Sequence, residues 1–229
     1  KEWKYLHELK KEDIIAIATD FPDTGNPYRF TEPQIKTIVK GRNQFGKIYE
    51  IDITKRYKEI RYPQKSNPDL MWLFGFYFGD GFITQPKNKD KLRLEFAVSE
   101  DQVEIREKIK QIIKRYFDYQ IISEEKEKLR INATKIALFF KENGIKGNAK
   151  TKEIPEWINS IPKNQKESFL AGYIDSDGNV RNTKKCKDVV LTSINKQLLQ
   201  KAKELCAYCG FGTSKITDVK EKKFPTKLY

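Results

Sequence analysis

Apolar residues recur along this chain at two spacings, and the switches between them divide it into elements. An apolar run through Leu70, Leu73, Phe74, Phe76, Tyr77 and Phe78 predicts a helix. Asn67 can cap it, Pro68 suits its first turn, and Asp80-Gly81 stops it. Residues 92–98 then alternate as a strand, with Leu92, Leu94, Phe96 and Val98 on one face and Arg93 and Glu95 on the other. Residues 99–102 (Ser-Glu-Asp-Gln) read as a capping box that opens a helix to about Arg115. Residues 119–123 and 128–132 read as a hairpin, and Thr134 as the cap of a short helix ending at Asn143-Gly144.

The same succession then returns. Asn164 can cap a helix with Glu167 at its third position, running through Phe169, Leu170, Tyr173 and Ile174 to Asp177-Gly178. A strand follows at 189–192, and Asn195 or Ser193 caps a helix carrying Leu198, Leu199, Ala202 and Leu205. A further strand is expected near 212–219. The expected fold is therefore α+β. It holds two αββαββ(α) units, 67–162 and 163–229, behind a small N-terminal module, 1–66, and the second unit reads as the shorter. In that module 14–17 and 48–53 read as strands, 20–27 as turn, 31–41 as a helix stopped by Gly41, and 55–64 as a basic linker.

Composition narrows the partner. The chain has 229 residues, with 38% hydrophobic and 34% charged positions, enough for a folded core with both charge signs mixed. Its formal net charge is +13, which calls for a polyanion. Residues 181–229 alone hold 12 basic and 4 acidic groups, interleaved with apolar positions as in a binding face. No apolar run approaches the roughly 20 residues of a membrane span, and the first ten residues have no apolar signal segment. Nucleic acid is thus favoured over a membrane surface, with an intracellular location, nucleus or cytoplasm. Three cysteines, Cys186, Cys206 and Cys209, suit a reducing compartment. With His7 the only histidine, they do not complete a tetrahedral zinc site and read as structural.

The chemistry concentrates at the two Asp-Gly helix ends, 97 positions apart. Each helix carries small residues four apart: Gly75 and Gly79 in the first, Gly172 and Ser176 in the second. Such spacing lets two backbones approach closely. Side by side, the helices would bring Asp80 and Asp177 together among unpaired helix carbonyls. Two carboxylates at the negative ends of two dipoles repel unless cations neutralise them. Asp80 and Asp177, with Gly79 and Ser176 beside them, are thus candidate ligands of a hard divalent ion, Mg²⁺ or Mn²⁺. An isolated Asp-Gly is usually only a turn; two in matching repeats are not. Asp175 has Phe78 as its counterpart and falls outside the pair.

Leu170-Ala-Gly-Tyr-Ile-Asp-Ser-Asp-Gly178 resembles the LAGLIDADG motif of homing endonucleases at seven of nine positions. Leu73-Phe-Gly-Phe-Tyr-Phe-Gly-Asp-Gly81 matches it at four, and resembles the divergent first motif of the yeast vacuolar-ATPase intein endonuclease and its relatives, the mating-type switching endonuclease among them. The resemblance implies a monomer carrying two motifs, with β-saddles in the DNA major groove and Mg²⁺ between the acids. It further implies cleavage of both strands of a long, asymmetric double-stranded site, leaving short 3′ overhangs. It also implies a role for Lys152 beside the active site, where such a lysine polarises water or steadies the phosphate. The same offset beyond Asp177 falls at 249, past Tyr229, so no second lysine is expected here. Lys1 and Tyr229 stand where a self-splicing intein has its nucleophile and its His-Asn, so the expectation is the endonuclease portion of one. The competing reading is a nucleic-acid-binding protein of this fold without cleavage, a transcription regulator or RNA-splicing maturase.

Strand alternation nominates the DNA contacts: Arg93 with Glu95, then Lys128, Arg130 and Asn132 in the first unit. In the second, Arg181, Lys184, Lys185 and Lys187 occupy an expected loop, and Lys215 and Thr217 an expected strand. Arg42, Lys47, Lys55 and Arg56 are candidates in the N-terminal module. Arg and Asn can read base edges, while Lys mostly meets phosphate.

Overall fold

Apolar helices with no polar face must be surrounded, and the first Asp-Gly helix sits at the centre of the molecule. In the computed structural model, which describes residues 6–11, 23, 25–34, 38–42, 44–52, 59–85, 91–121, 123–182 and 187–217, the chain is α+β. Strands β1 (Ile38–Arg42) and β2 (Ile48–Asp52) form an antiparallel pair. Then come α1 (Pro68–Asp80), β3 (Gly81–Thr84), β4 (Arg93–Ala97), α2 (Val103–Phe117), β5 (Ser123–Glu125), β6 (Lys128–Ile131) and α3 (Thr134–Glu142). A 3₁₀ turn, Glu156–Ser160, leads to α4 (Lys163–Asp177), β7 (Gly178–Asn182), β8 (Lys187–Leu191) and α5 (Lys196–Tyr208). The larger sheet is antiparallel in the order β3-β4-β6-β5, and β7 pairs with β8.

Helix α1 starts as its sequence dictates: Asn67 Oδ1 accepts from Leu70 N at 3.1 Å, and Pro68 opens the first turn. All nine residues from Leu70 to Phe78 are buried. Around them pack Leu94, Phe96, Leu129 and Ile131 from the sheet, Ile109, Ile113 and Phe117 from α2, and Phe139 and Phe140 from α3. Phe169 of α4 meets Phe78 with ring centroids 5.4 Å apart.

The N-terminal segment contributes to this body. Phe30 is buried against Phe74 and Phe139, and Tyr28 stacks on Trp157 with centroids 4.1 Å apart. Asn143 exchanges two hydrogen bonds with the Thr31 backbone, both at 2.9 Å.

Several local expectations gave way to tertiary partners. Residues 31–34 form no helix, and Gly41 lies within β1 instead of ending a helix. The capping box at 99–102 is half formed: Gln102 Oε1 accepts from Ser99 N at 3.1 Å, but α2 starts only at Val103. Thr134 bonds the backbone of Leu92 and is the first residue of α3 rather than its cap. Asn164 does not cap α4; that helix begins at Lys163, whose N–H is accepted at 2.8 Å by Asp23, 140 positions earlier. The first arm of the 119–132 hairpin pairs only at 123–125. The loop expected after Asp177 is strand β7, and the described residues 211–217 form no strand. Residues 14–17, 53–58 and 218–229 lie outside the described residues.

Candidate active site

The helix pair α1·α4 crosses through its small residues. A Cβ on Gly75 would lie 2.8 Å from the Phe169 carbonyl carbon and closer still to its oxygen. A Cβ on Gly172 would meet the Trp72 carbonyl in the same way, 2.8 Å from its carbon. The two glycines thus seat reciprocally on each other's helix backbones. Toward the C-terminal ends, a Cβ on Gly79 would reach Ser176 Cβ at 2.6 Å and Asp177 Cγ at 3.0 Å. Only hydrogen fits at position 79, and that closeness draws the two Asp-Gly ends together.

The ends are closed alike. Gly81 N–H returns to the Tyr77 carbonyl, and Gly178 N–H to the Ile174 carbonyl. Asp80 is partly buried, and Asp177 is more open to water. Burial raises the Asp80 carboxyl to about 6, with the Asp177 charge adding to the rise and Lys152 opposing it. Burial likewise raises Asp177, again against Lys152.

Lys152 completes the cluster. It is 3% exposed, and its ammonium donates to the carbonyls of Phe78 at 3.1 Å and Gly79 at 2.8 Å. A cation on the last carbonyls of a helix is a favourable C-terminal cap. Burial lowers this lysine to about 8, while Asp177 and Asp80 hold its charge in place. A turn seats its backbone, with Lys152 N donating to Asn148 O at 2.9 Å. The Lys152 carbonyl accepts from Asn195 Nδ2 at 2.8 Å. Asn195 also caps α5 through its Oδ1, bonded by Leu198 N at 3.1 Å. Its cap role is legible in the sequence; its hold on Lys152 depends on a contact 43 positions away and is not.

Asp80, Asp177, Lys152, Gly79 and Ser176 are therefore brought together. The Gly79 carbonyl accepts the Lys152 ammonium, which competes with the metal-ligand role expected of it. Ser176 Oγ donates to the Tyr173 carbonyl at 2.9 Å. Asp175 lies apart, accepting the Trp72 indole at 2.7 Å. No cluster of three or more His, Cys, Asp or Glu occurs among the described residues, so a metal here would rest on the two aspartates, main-chain oxygens and water. That oxygen-only donor set fits a hard divalent ion that keeps several waters.

The candidate DNA contacts divide. On the four-stranded sheet the register pairs Glu95 with Phe82 and Arg130, and Arg93 with Thr84, all opposite the core-facing Leu94, Phe96, Leu129 and Ile131. Lys128 shares that outer face and Asn132 follows β6 exposed. Glu95 was expected to be exposed on this face but is 3% exposed, because its carboxylate is enclosed by Thr84, Lys128 and Arg130. After α4, Arg181 lies on β7, paired with Asp188 across the strand, and Lys187 opens β8. Lys215 and Thr217 are exposed but belong to no strand, because no partner pairs with the described part of their segment. Lys184, Lys185, Lys55 and Arg56 lie outside the described residues. No helix is long and apolar enough to cross a membrane among those described.

The raised carboxyl predicts a stability signature. A folded Asp80 at about 6 binds protons more readily than the unfolded chain at 3.8, so stability falls as pH rises from about 4 to about 6 and stays lower above. At pH 8 in EDTA the charged carboxyl costs on the order of 1–2 kcal/mol after solvent screening is allowed for. Asp80→Asn should recover that much at pH 8 and nothing near pH 4, read by urea unfolding at both values. A variant less stable than wild type at pH 8 would contradict the repulsive pair.

Comparison with known proteins agrees with the second helix. Residues 164–229 match the model of a family described as a LAGLIDADG-like domain. The chain is 24% identical over 91% of its length to an iron–sulfur cluster assembly SufBD family protein of Mycobacterium leprae, of which it covers 22%. It is 28% identical over 67% of its length to a DNA polymerase of Thermococcus hydrothermalis, covering 9% of it. It is 27% identical over 97% of its length to a tRNA-splicing ligase RtcB of Pyrococcus furiosus, covering 25%. The chain thus spans a quarter or less of these relatives.

Proposed function

We propose that this chain is a site-specific double-strand DNA endonuclease of the LAGLIDADG homing type. Asp80 and Asp177 would hold Mg²⁺ or Mn²⁺, and the products would carry short 3′ overhangs. The observation that carries the reading is the convergence of two repelling aspartates and one buried lysine at the ends of a glycine-seated helix pair. A divalent cation bound there would neutralise the carboxylates, acidify a water and stabilise the oxygen leaving phosphorus. The protein's own parts have separate tasks. Gly75, Gly79 and Gly172 set the distance between the acids. Lys152, anchored on the α1 carbonyls and holding its proton loosely, presents positive charge to a phosphate or donates a proton as the bond breaks. The outer face of β3-β4-β6-β5 is the proposed first DNA saddle, with Arg93, Lys128, Arg130 and Asn132 on it.

The relatives support a mobile origin. One segment recurs as a minor part of proteins whose names share no activity. That distribution suits an intein-borne endonuclease acting as a monomer on a long asymmetric target inside the cell. The test is a plasmid library of candidate insertion sites incubated with Mg²⁺, then with EDTA. Linearised plasmid in Mg²⁺ alone is expected. Gel-shifted but uncut DNA would favour binding without cleavage, the regulator or maturase reading.

A further inference from the structure

The outer face of the larger sheet carries a buried acid where a phosphate-binding surface would carry only bases. Glu95 stands at the middle of that face on β4, its side chain 4% exposed. One oxygen accepts from Thr84 Oγ1 at 2.7 Å. The other faces Lys128 Nζ at 3.0 Å and Arg130 Nε at 3.4 Å. Glu125, on the adjoining β5–β6 hairpin, takes Arg130 Nη1 at 2.5 Å and stands 3.7 Å from Lys128. Two acids thus enclose two bases, and the group is neutral. Arg130 Nε and Glu95 Oε2 are both buried and 3.4 Å apart with no hydrogen bond between them, so Glu95 acts on the fork through its charge while Glu125 holds Nη1.

A neutral, interlocked group contributes little to counterion release, which scales with unpaired positive charge. With Glu125 on Nη1 and the Glu95 charge beside Nε, it does narrow the guanidinium to one orientation, and a held donor fork discriminates between base edges. Holding charges so enclosed is costly unless geometry is the gain. Building on the DNA-binding reading above, we infer that Glu95 is a positioning residue for base discrimination: it locks Arg130 and Lys128 so that this part of the saddle reads sequence instead of gripping phosphate.

The experiment selects bound duplexes from a randomised pool and measures affinity for one arbitrary 30-bp duplex across a salt series. It uses the full chain and its Glu95→Gln variant in EDTA, so that cleavage plays no part. Wild type should enrich a sequence pattern. Glu95→Gln should lose the preference at one or two adjacent base pairs, roughly a 10-fold fall in discrimination there. It should also bind the arbitrary duplex several-fold more tightly, with a salt slope steeper by about one. Glu127→Gln, at the exposed turn of the same hairpin, adds the same charge without touching the fork. It should raise arbitrary affinity and keep the pattern. Should Glu95→Gln fail to fold, Arg130→Lys keeps the charge but not the fork, and should lose the same preference at an unchanged slope. An unaltered pattern in these variants, or a parallel loss of selected and arbitrary binding, overturns the inference. A wild-type chain that enriches no sequence overturns the site-specific reading itself, and this inference with it.

Discussion

Asp177→Asn should abolish strand cleavage in Mg²⁺ while leaving duplex binding intact. The substitution keeps the shape of the side chain and removes the charge that would hold a cation. Because Asp80 alone cannot supply the paired site, the loss should reach roughly two to three orders of magnitude or more. The effect on binding has the opposite sign. Removing a carboxylate that would face a phosphodiester in the proposed complex should leave affinity in EDTA unchanged or slightly tighter. Asp175→Asn is the contrasting variant, since Asp175 bonds Trp72 and stands outside the paired carboxylates. Single-turnover cleavage and a gel shift on the same target separate the two readouts. Cleavage retained by Asp177→Asn would refute the assignment of the metal pair.

Gly172→Ala should unfold the protein more easily, although alanine at an ordinary helix position stabilises by up to about 1 kcal/mol over glycine. The sign reverses here because the new Cβ would sit against the Trp72 carbonyl and 2.9 Å from Phe76 N, both of them backbone. Backbone cannot swing aside as the end of a side chain can, so α1 and α4 must separate. Overpacking of this kind costs about 2–4 kcal/mol. Gly75→Ala meets Phe169 and Tyr173 N in the mirror arrangement and should cost about as much. Chemical denaturation reads the loss. A stabilised Gly172→Ala would show that the helices do not cross where the glycines meet. Cleavage should fall with stability, because separating the helices parts Asp80 from Asp177.

Particular residues mark how far the sequence could be read. Asn67-Pro68 and Asn195 start helices in both descriptions, since a cap bonds within three residues of itself and needs nothing distant. Residues 31–34 form no helix, because a Thr-Glu-Pro-Gln start is only a local preference. In the fold Thr31 is instead bonded to Asn143, 112 positions on, and 38–42 pair with β2. The start of α4 lies out of local reach for the same reason: its acceptor is Asp23, 140 positions earlier. The strand expected near 212–219 had a plausible alternation, but its described part has no neighbour to pair with, and a strand is defined by its neighbour.

What the sequence by itself determined is the chemistry on offer: two Asp-Gly helix ends in matched settings, small residues four apart, and a basic surplus. These are local in spacing and composition, and physical chemistry constrains them one helix at a time. Tertiary structure alone decided how that chemistry is arranged. It set the two glycines on each other's carbonyls, and gave Lys152 both the α1 end and the Asn195 amide. It also closed Glu95 among the bases expected to be free. Each of these depends on groups far apart in the chain meeting within about 3 Å, where desolvation and hydrogen-bond geometry, not propensity, set the energy.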